Sequence, residues 1–145
     1  MKGTYIAETS VTIDAPAEKV WKALTTPEHI AKYLYGTKVT SDWKEGSPID
    51  YKGEYEGNEY YDKGVIKTFE PNKVFASTYW SSMGGKEDKP ENYNLVTYTL
   101  EEGGDKTLLT ITQDNIATDE EKQQMLTNWN GVLAKLKIVA ESIYL

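Results

Sequence analysis

Chemistry has few footholds in this chain. His29, in TTPEHI, is the one histidine, so an imidazole metal site or a nucleophilic triad would rest on a single residue. Its position just inside a predicted helix marks it as a partly exposed helix-start residue, not a catalytic one. Cysteine is absent, which removes disulfides, thiolate metal sites, iron–sulfur clusters and a thiol nucleophile. Carboxylates are plentiful: EYEGNEYYD, KEDKPEN and EEGGD could supply an acid–base pair or ligands for a hard cation. None has the spacing of a calcium loop, and solvated turns explain such runs between strands more simply. No phosphate-cradling glycine loop, G-x-S-x-G elbow or H-E-x-x-H pair occurs. The sequence predicts no catalytic residue, no metal and no cofactor.

What remains is a set of rings. The chain has eleven Tyr and four Trp against two Phe, a bias toward side chains that bury a body and present a polar tip. Tyr51, Tyr55, Tyr98 and Trp129, with Leu133, fall on predicted inward faces, and Trp80 joins them although both faces of its strand are mixed. Any one of them could simply fill the core. Together they point to an interior with polar points, because a buried Tyr hydroxyl needs a partner. Glu8 is a further candidate, since one register of the first strand would turn it inward.

The elements that position these residues follow from periodicity. Residues 4–14 alternate as a half-buried strand, with Tyr5, Ala7, Thr9, Val11 and Ile13 on one face. DAPAEKVWKALTTPEHIAKYLYG predicts two short helices, each opened by a proline in its first turn, the second stopped by Gly36. PIDYKGEYEG places Ile49, Tyr51, Gly53 and Tyr55 on one face; EYYDKGVIKTFE has an ambiguous alternation, and KVFASTYW follows a turn at Pro71 and Asn72. Residues 81–92 are polar and turn-rich, a loop long enough to act as a lid. A hairpin then turns at Gly103 and Gly104, with Val96, Tyr98 and Leu100 facing the same core as Leu109 and Ile111. Thr118 and Glu121 form a capping box ahead of a long helix whose stripe is Met125, Trp129, Val132, Leu136, Val139 and Ile143. Gly131 lowers helix propensity beside Trp129, where packing is expected to give way to pocket.

One strand, two short helices, about six strands and one long helix predict an α+β two-layer domain over residues 1–145, a curved antiparallel sheet gripping the terminal helix. A net charge of −7, with every cation a Lys, disfavours nucleic acid and anionic membrane surfaces. No apolar run approaches the roughly 20 residues of a membrane span. The opening residues lack the apolar core of a signal peptide, so a cytoplasmic location is expected.

The stretches TIDAPAEKVWKALTTPEHI, DWKEGSPI, DKGVIKTFEPNKVFASTYW and NWNGVLAKLK give the chain a resemblance to the START-like (SRPBCC, helix-grip) superfamily. Within it, the chain is similar to the branch of the activator of heat-shock protein 90 ATPase. The resemblance implies a deep, mostly apolar cavity between sheet and last helix, and leaves its occupant open. Three functions are expected in descending order. The first is a binding protein enclosing a small apolar or amphipathic ligand, lined by Tyr51, Tyr55, Tyr98 and Trp129 with residues 81–92 at the mouth. The second is an interaction module with a chaperone as partner, and the third a cyclase or hydrolase using a buried Tyr or carboxylate.

Overall fold

The computed structural model describes residues 3–34, 36–82 and 84–143, except for the side chain of Tyr55. β1 (Tyr5–Ile13) buries Ala7 and Ile13 and leaves Ile6 and Glu8 outside. α1 (Ala17–Thr25) begins directly after Pro16 and buries Ala17, Val20, Trp21, Ala23 and Leu24. The free N–H of Ala17 is satisfied from a distance, by Glu102 Oε1 at 2.8 Å. α2 (Pro27–Tyr33) carries Pro27 in its first turn, where a missing N–H costs nothing. It ends as predicted near Gly36, whose φ of +81° and N–H bond to the Ala31 carbonyl (2.8 Å) suit glycine.

The strands β2 (Lys38–Ser41), β3 (Pro48–Tyr55), β4 (Asn58–Glu70), β5 (Val74–Ser81), β6 (Asn94–Gly103) and β7 (Lys106–Ile116) follow. With β1 they form a seven-stranded antiparallel sheet in the order β1-β7-β6-β5-β4-β3-β2. The turns are chemically specified. Glu56 and Gly57, with φ of 51° and 83°, make the two-residue link from β3 to β4 that matches strand twist. The β6–β7 turn lies one residue later than expected: Gly103 pairs with Lys106, so Gly104 and Asp105 form it.

The ambiguous alternation of β4 has a physical cause. Ile66 pairs with Ser77 but Thr68 pairs with Ala76, so Lys67 is an extra residue that reverses the parity of the strand. Asp62, Gly64 and Ile66 face inward before the bulge, and Phe69 packs against the core after it. Next to the bulge, β5 crosses so closely that a Cβ on Gly64 would lie 1.7 Å from the Thr78 carbonyl oxygen. Thr78 Oγ1 there accepts the Val65 N–H at 2.9 Å.

α3 (Asp119–Glu141) is capped by Thr118, whose Oγ1 accepts the Glu121 N–H at 3.1 Å. It lies chiefly along β1 and packs on α1 and α2. Val132, Leu133, Leu136, Val139, Ala140 and Ile143 are buried, each large aliphatic side chain contributing roughly 1.5–3 kcal/mol. Met125, Leu126 and Trp129 are only half-buried, so the helix is packed firmly over its second half alone. This is the α+β helix-grip architecture expected.

Two glycines test this account in opposite directions. Gly64→Ala should lower unfolding free energy by roughly 1–3 kcal/mol because the strand crossing must open. Gly131→Ala, exposed with nothing within 4 Å of the added methyl, should raise it by about 0.5–1 kcal/mol through helix propensity. Urea denaturation of both variants reads the two signs.

Candidate functional site

The inner face of the sheet carries a polar and aromatic cluster that α3 meets at Trp129. Tyr51 on β3 pairs across the ladder with Asp62 on β4, and Asp62 pairs with Ser81 on β5. The Tyr79 hydroxyl donates to Asp62 Oδ2. Tyr51 and Tyr79 meet with ring centroids 6.0 Å apart. Ser77, buried on the same face of β5, hydrogen-bonds the Tyr51 hydroxyl. On the other side Tyr98 of β6 stacks on Phe75 at 5.7 Å and meets Trp129 of α3 edge-on at 6.1 Å. The Trp129 indole Nε1–H donates to Gln113 Oε1 of β7 at 2.7 Å, which ties the helix to the sheet. Phe75 in turn packs together with Trp21 and Phe69, the three ring centroids 5.1–6.3 Å apart.

Electrostatics mark the cluster as enclosed. Burial pushes the Tyr51 phenol well above its usual pKa; the Asp62 charge adds to this and the Ser77 hydrogen bond opposes it. Burial raises Tyr79 further, reinforced by the Asp62 charge and by the hydrogen bond Tyr79 gives it. Tyr98 is raised by burial and then by Tyr51. Tyr33 of α2, whose hydroxyl donates to the Ala23 carbonyl at 3.0 Å, is raised by burial, then by Tyr98 and Tyr51. These phenols are deeply desolvated, yet Tyr51, Tyr79, Tyr98 and Trp129 keep part of their surface accessible to water.

The expected site residues divide. Tyr51, Tyr98 and Trp129 are brought together as described. Leu133 is buried one turn beyond Trp129, in the packed half of α3. The backbone of Tyr55 lies in β3, but its side chain is outside the described residues. Trp80 does not join the cluster. Strand alternation turns it opposite Tyr79, where its indole donates to the Lys86 and Glu87 carbonyls (3.2 and 3.1 Å) and Lys63 Nζ stands 5.8 Å from its ring. That fastening, with the Lys63–Asp88 ion pair at 2.5 Å, holds the described part of the 81–92 loop against the outer face of the sheet. Glu8 is exposed. His29 is half-buried with an unpartnered Nδ1, and burial followed by Lys32 lowers its pKa.

Four residues of the cluster escaped the sequence reading: Asp62, Ser77, Tyr79 and Gln113. Gln113 was legible by counting two on from Leu109 and Ile111, and Tyr79 by counting from Phe75 through Ser77. Asp62 was hidden by the bulge and by the acidic run around it, in which Glu54, Glu56 and Glu59 are exposed as solvated turns should be. Among the described residues no group of three His, Asp or Glu is placed to hold a metal ion. Two outer grooves, of about 330 Å³ beside α2 (Pro27, Ala31, Thr37) and about 460 Å³ beside the α1 start (Pro16, Lys73, Glu102), are separate from the cluster.

The raised phenols imply a pH dependence. A phenol held neutral in the fold but free to ionise near pH 10 when unfolded makes the unfolded chain bind fewer protons above that pH, so stability falls as pH rises. Denaturation midpoints should drop from pH 9 to pH 11, roughly one unit either side of that value. Absorbance at about 295 nm, where phenolate is read, should rise further on unfolding at pH 11; equal phenolate in both states would contradict the enclosure of Tyr51, Tyr79 and Tyr98.

Comparison with known proteins agrees with the architecture. The solution structure of ChR145 from Cytophaga hutchinsonii is 44% identical, with 94% of each chain covered and a TM-score of 0.82. The solution structure of the Aha1 dimer from Colwellia psychrerythraea shares the fold at 22% identity, covering 96% of this chain and 98% of that one, with a TM-score of 0.75. So does DynU16, described as a putative protein in the dynemicin biosynthetic locus, at 19% identity over 94% of this chain and 47% of that one, with a TM-score of 0.78. No curated protein matches the chain. The family model described as Activator of Hsp90 ATPase homolog 1-like protein matches residues 14–141, nearly the whole of the helix-grip unit, and the chain belongs to that family.

Proposed function

We propose that this protein binds an apolar or amphipathic small molecule between the inner face of the sheet and the first turns of α3. The observation that carries this reading is that Tyr51, Tyr79 and Tyr98 are deeply desolvated yet keep part of their surface accessible, as does Trp129, which meets Tyr98 from α3. Aromatic walls supply apolar area, and Ser77, Asp62 and Gln113 supply the few polar points that orient a guest. The half of α3 that would border the guest has no fully buried residue, so it can move outward without opening the core below Val132.

A panel of lipid-like and aromatic compounds, read by thermal shift and native mass spectrometry, tests the proposal. At a hundredfold excess over Kd a ligand stabilises by about 2.7 kcal/mol, so a true guest should raise Tm by several degrees, and Trp129→Ala should reduce that rise by at least half. A panel with no stabilising compound, or one whose effect is unchanged in Trp129→Ala, would contradict it.

A second reading, chaperone interaction, draws on the family's description and on the outer face of the sheet, where Tyr61 and Leu95 are exposed. Stimulation of an Hsp90 ATPase that is lost on substituting Tyr61 and Leu95 by Ser would favour it over ligand binding.

A further inference from the structure

Asp62 stands out among the chain's carboxylates. It is only 8% exposed, and while Oδ2 accepts the Tyr79 hydroxyl, Oδ1 is buried with no partner. Among the described residues it forms no ion pair; its neighbour in sequence, Lys63, pairs with Asp88 on the opposite face. An enclosed carboxylate with an unmet acceptor is costly unless a donor, and preferably a cation, completes it. Its surroundings are suited to a cation. Tyr51 is its cross-strand partner and Tyr79 its hydrogen-bond donor, their rings 6.0 Å apart, and Tyr98 and Trp129 form a second ring pair on the same inner face. The electron-rich faces of such rings attract an organic ammonium and offer nothing to an anion.

Resting on the binding function proposed above, we infer that the preferred ligand is an amphipathic organic amine whose ammonium group donates to Asp62 Oδ1 while its apolar body lies among Tyr51, Tyr79, Tyr98 and Trp129. Tyr79 is a positioning residue in this arrangement: by occupying Oδ2 it leaves Oδ1 as the oxygen that receives the guest. Fatty acids and other anionic amphiphiles are selected against by the same carboxylate.

The test uses three matched pairs that differ only in amine against hydroxyl: 2-phenylethylamine and 2-phenylethanol, tryptamine and tryptophol, decylamine and 1-decanol. Isothermal titration of the full chain should give, for at least one pair, an amine affinity about tenfold or more above its alcohol, since charge-assisted bonds are roughly twice as strong as neutral ones and the rings add cation–π attraction. Asp62→Asn, matched in size, should reduce that preference below about threefold as the charge is lost. Should Asp62→Asn fail to fold, the amine-to-alcohol ratio in the unaltered protein decides alone. Alcohols binding as tightly as amines, or a preference that survives Asp62→Asn, would overturn the ammonium assignment and leave the binding function standing. Binding of neither member of any pair would overturn both.

Discussion

Much of this molecule follows from α3 being fastened over only half of its length. From Val132 onward the helix is sealed against β1, α1 and α2, with Leu136 and Ala140 fully enclosed. Before that point its contacts with the sheet are few: Trp129 to Gln113 at 2.7 Å and edge-on to Tyr98, and Thr9 Oγ1 to Asn130 at 2.5 Å. Hydrogen bonds of this kind contribute about 1 kcal/mol each, against several times that for the apolar stripe below. The helix therefore acts as a wedge with a rigid base and a lightly held tip, and the sheet under the tip need not be dry.

The sheet is shaped to use that freedom. The bulge at Lys67 and the close crossing of Gly64 with Thr78 bend β4 and β5 together, and bends of this kind re-aim side chains where they occur. Asp62, Ser77 and Tyr79 share the inner face while Lys63 and Trp80, a single residue away in each strand, meet on the outside. A continuous aromatic path runs from Trp21 through Phe69, Phe75 and Tyr98 to Trp129, from the buried core to the partly accessible rings. Fully buried and partly accessible rings thus form one packed series, and the boundary between them falls near Phe75 and Tyr98.

The order of elements, the proline-opened helices, the Thr118 cap and the α3 stripe were all readable from the sequence because each rests on local chemistry that tertiary context did not override. Tyr51 and Tyr98 were readable for the same reason, since their strands keep a clean two-residue period. Trp80 was misplaced where the period was mixed, and Asp62 was missed where a bulge reversed it. Parity across a bulge depends on the neighbouring strand, which a single-strand pattern does not contain. The loop at 81–92 was legible as a loop, but its attachment to Trp80 and Lys63 depends on a face assignment the pattern left open.

Family membership and fold agree, and within that fold this chain carries an aromatic cluster on the inner face of the sheet with one unmet carboxylate oxygen, Asp62 Oδ1, and with Trp129 of α3 closing on it at Tyr98. Trp129 and Trp80 report on its two sides, inside and outside the sheet, through their indole N–H groups. The most direct measurement is a nitrogen–proton correlation spectrum of the labelled protein titrated with an amphipathic amine. Progressive displacement of the Trp129 indole resonance with the Trp80 resonance unmoved is the predicted result; displacement of Trp80 while Trp129 stays fixed would place the guest on the outer face and contradict the account.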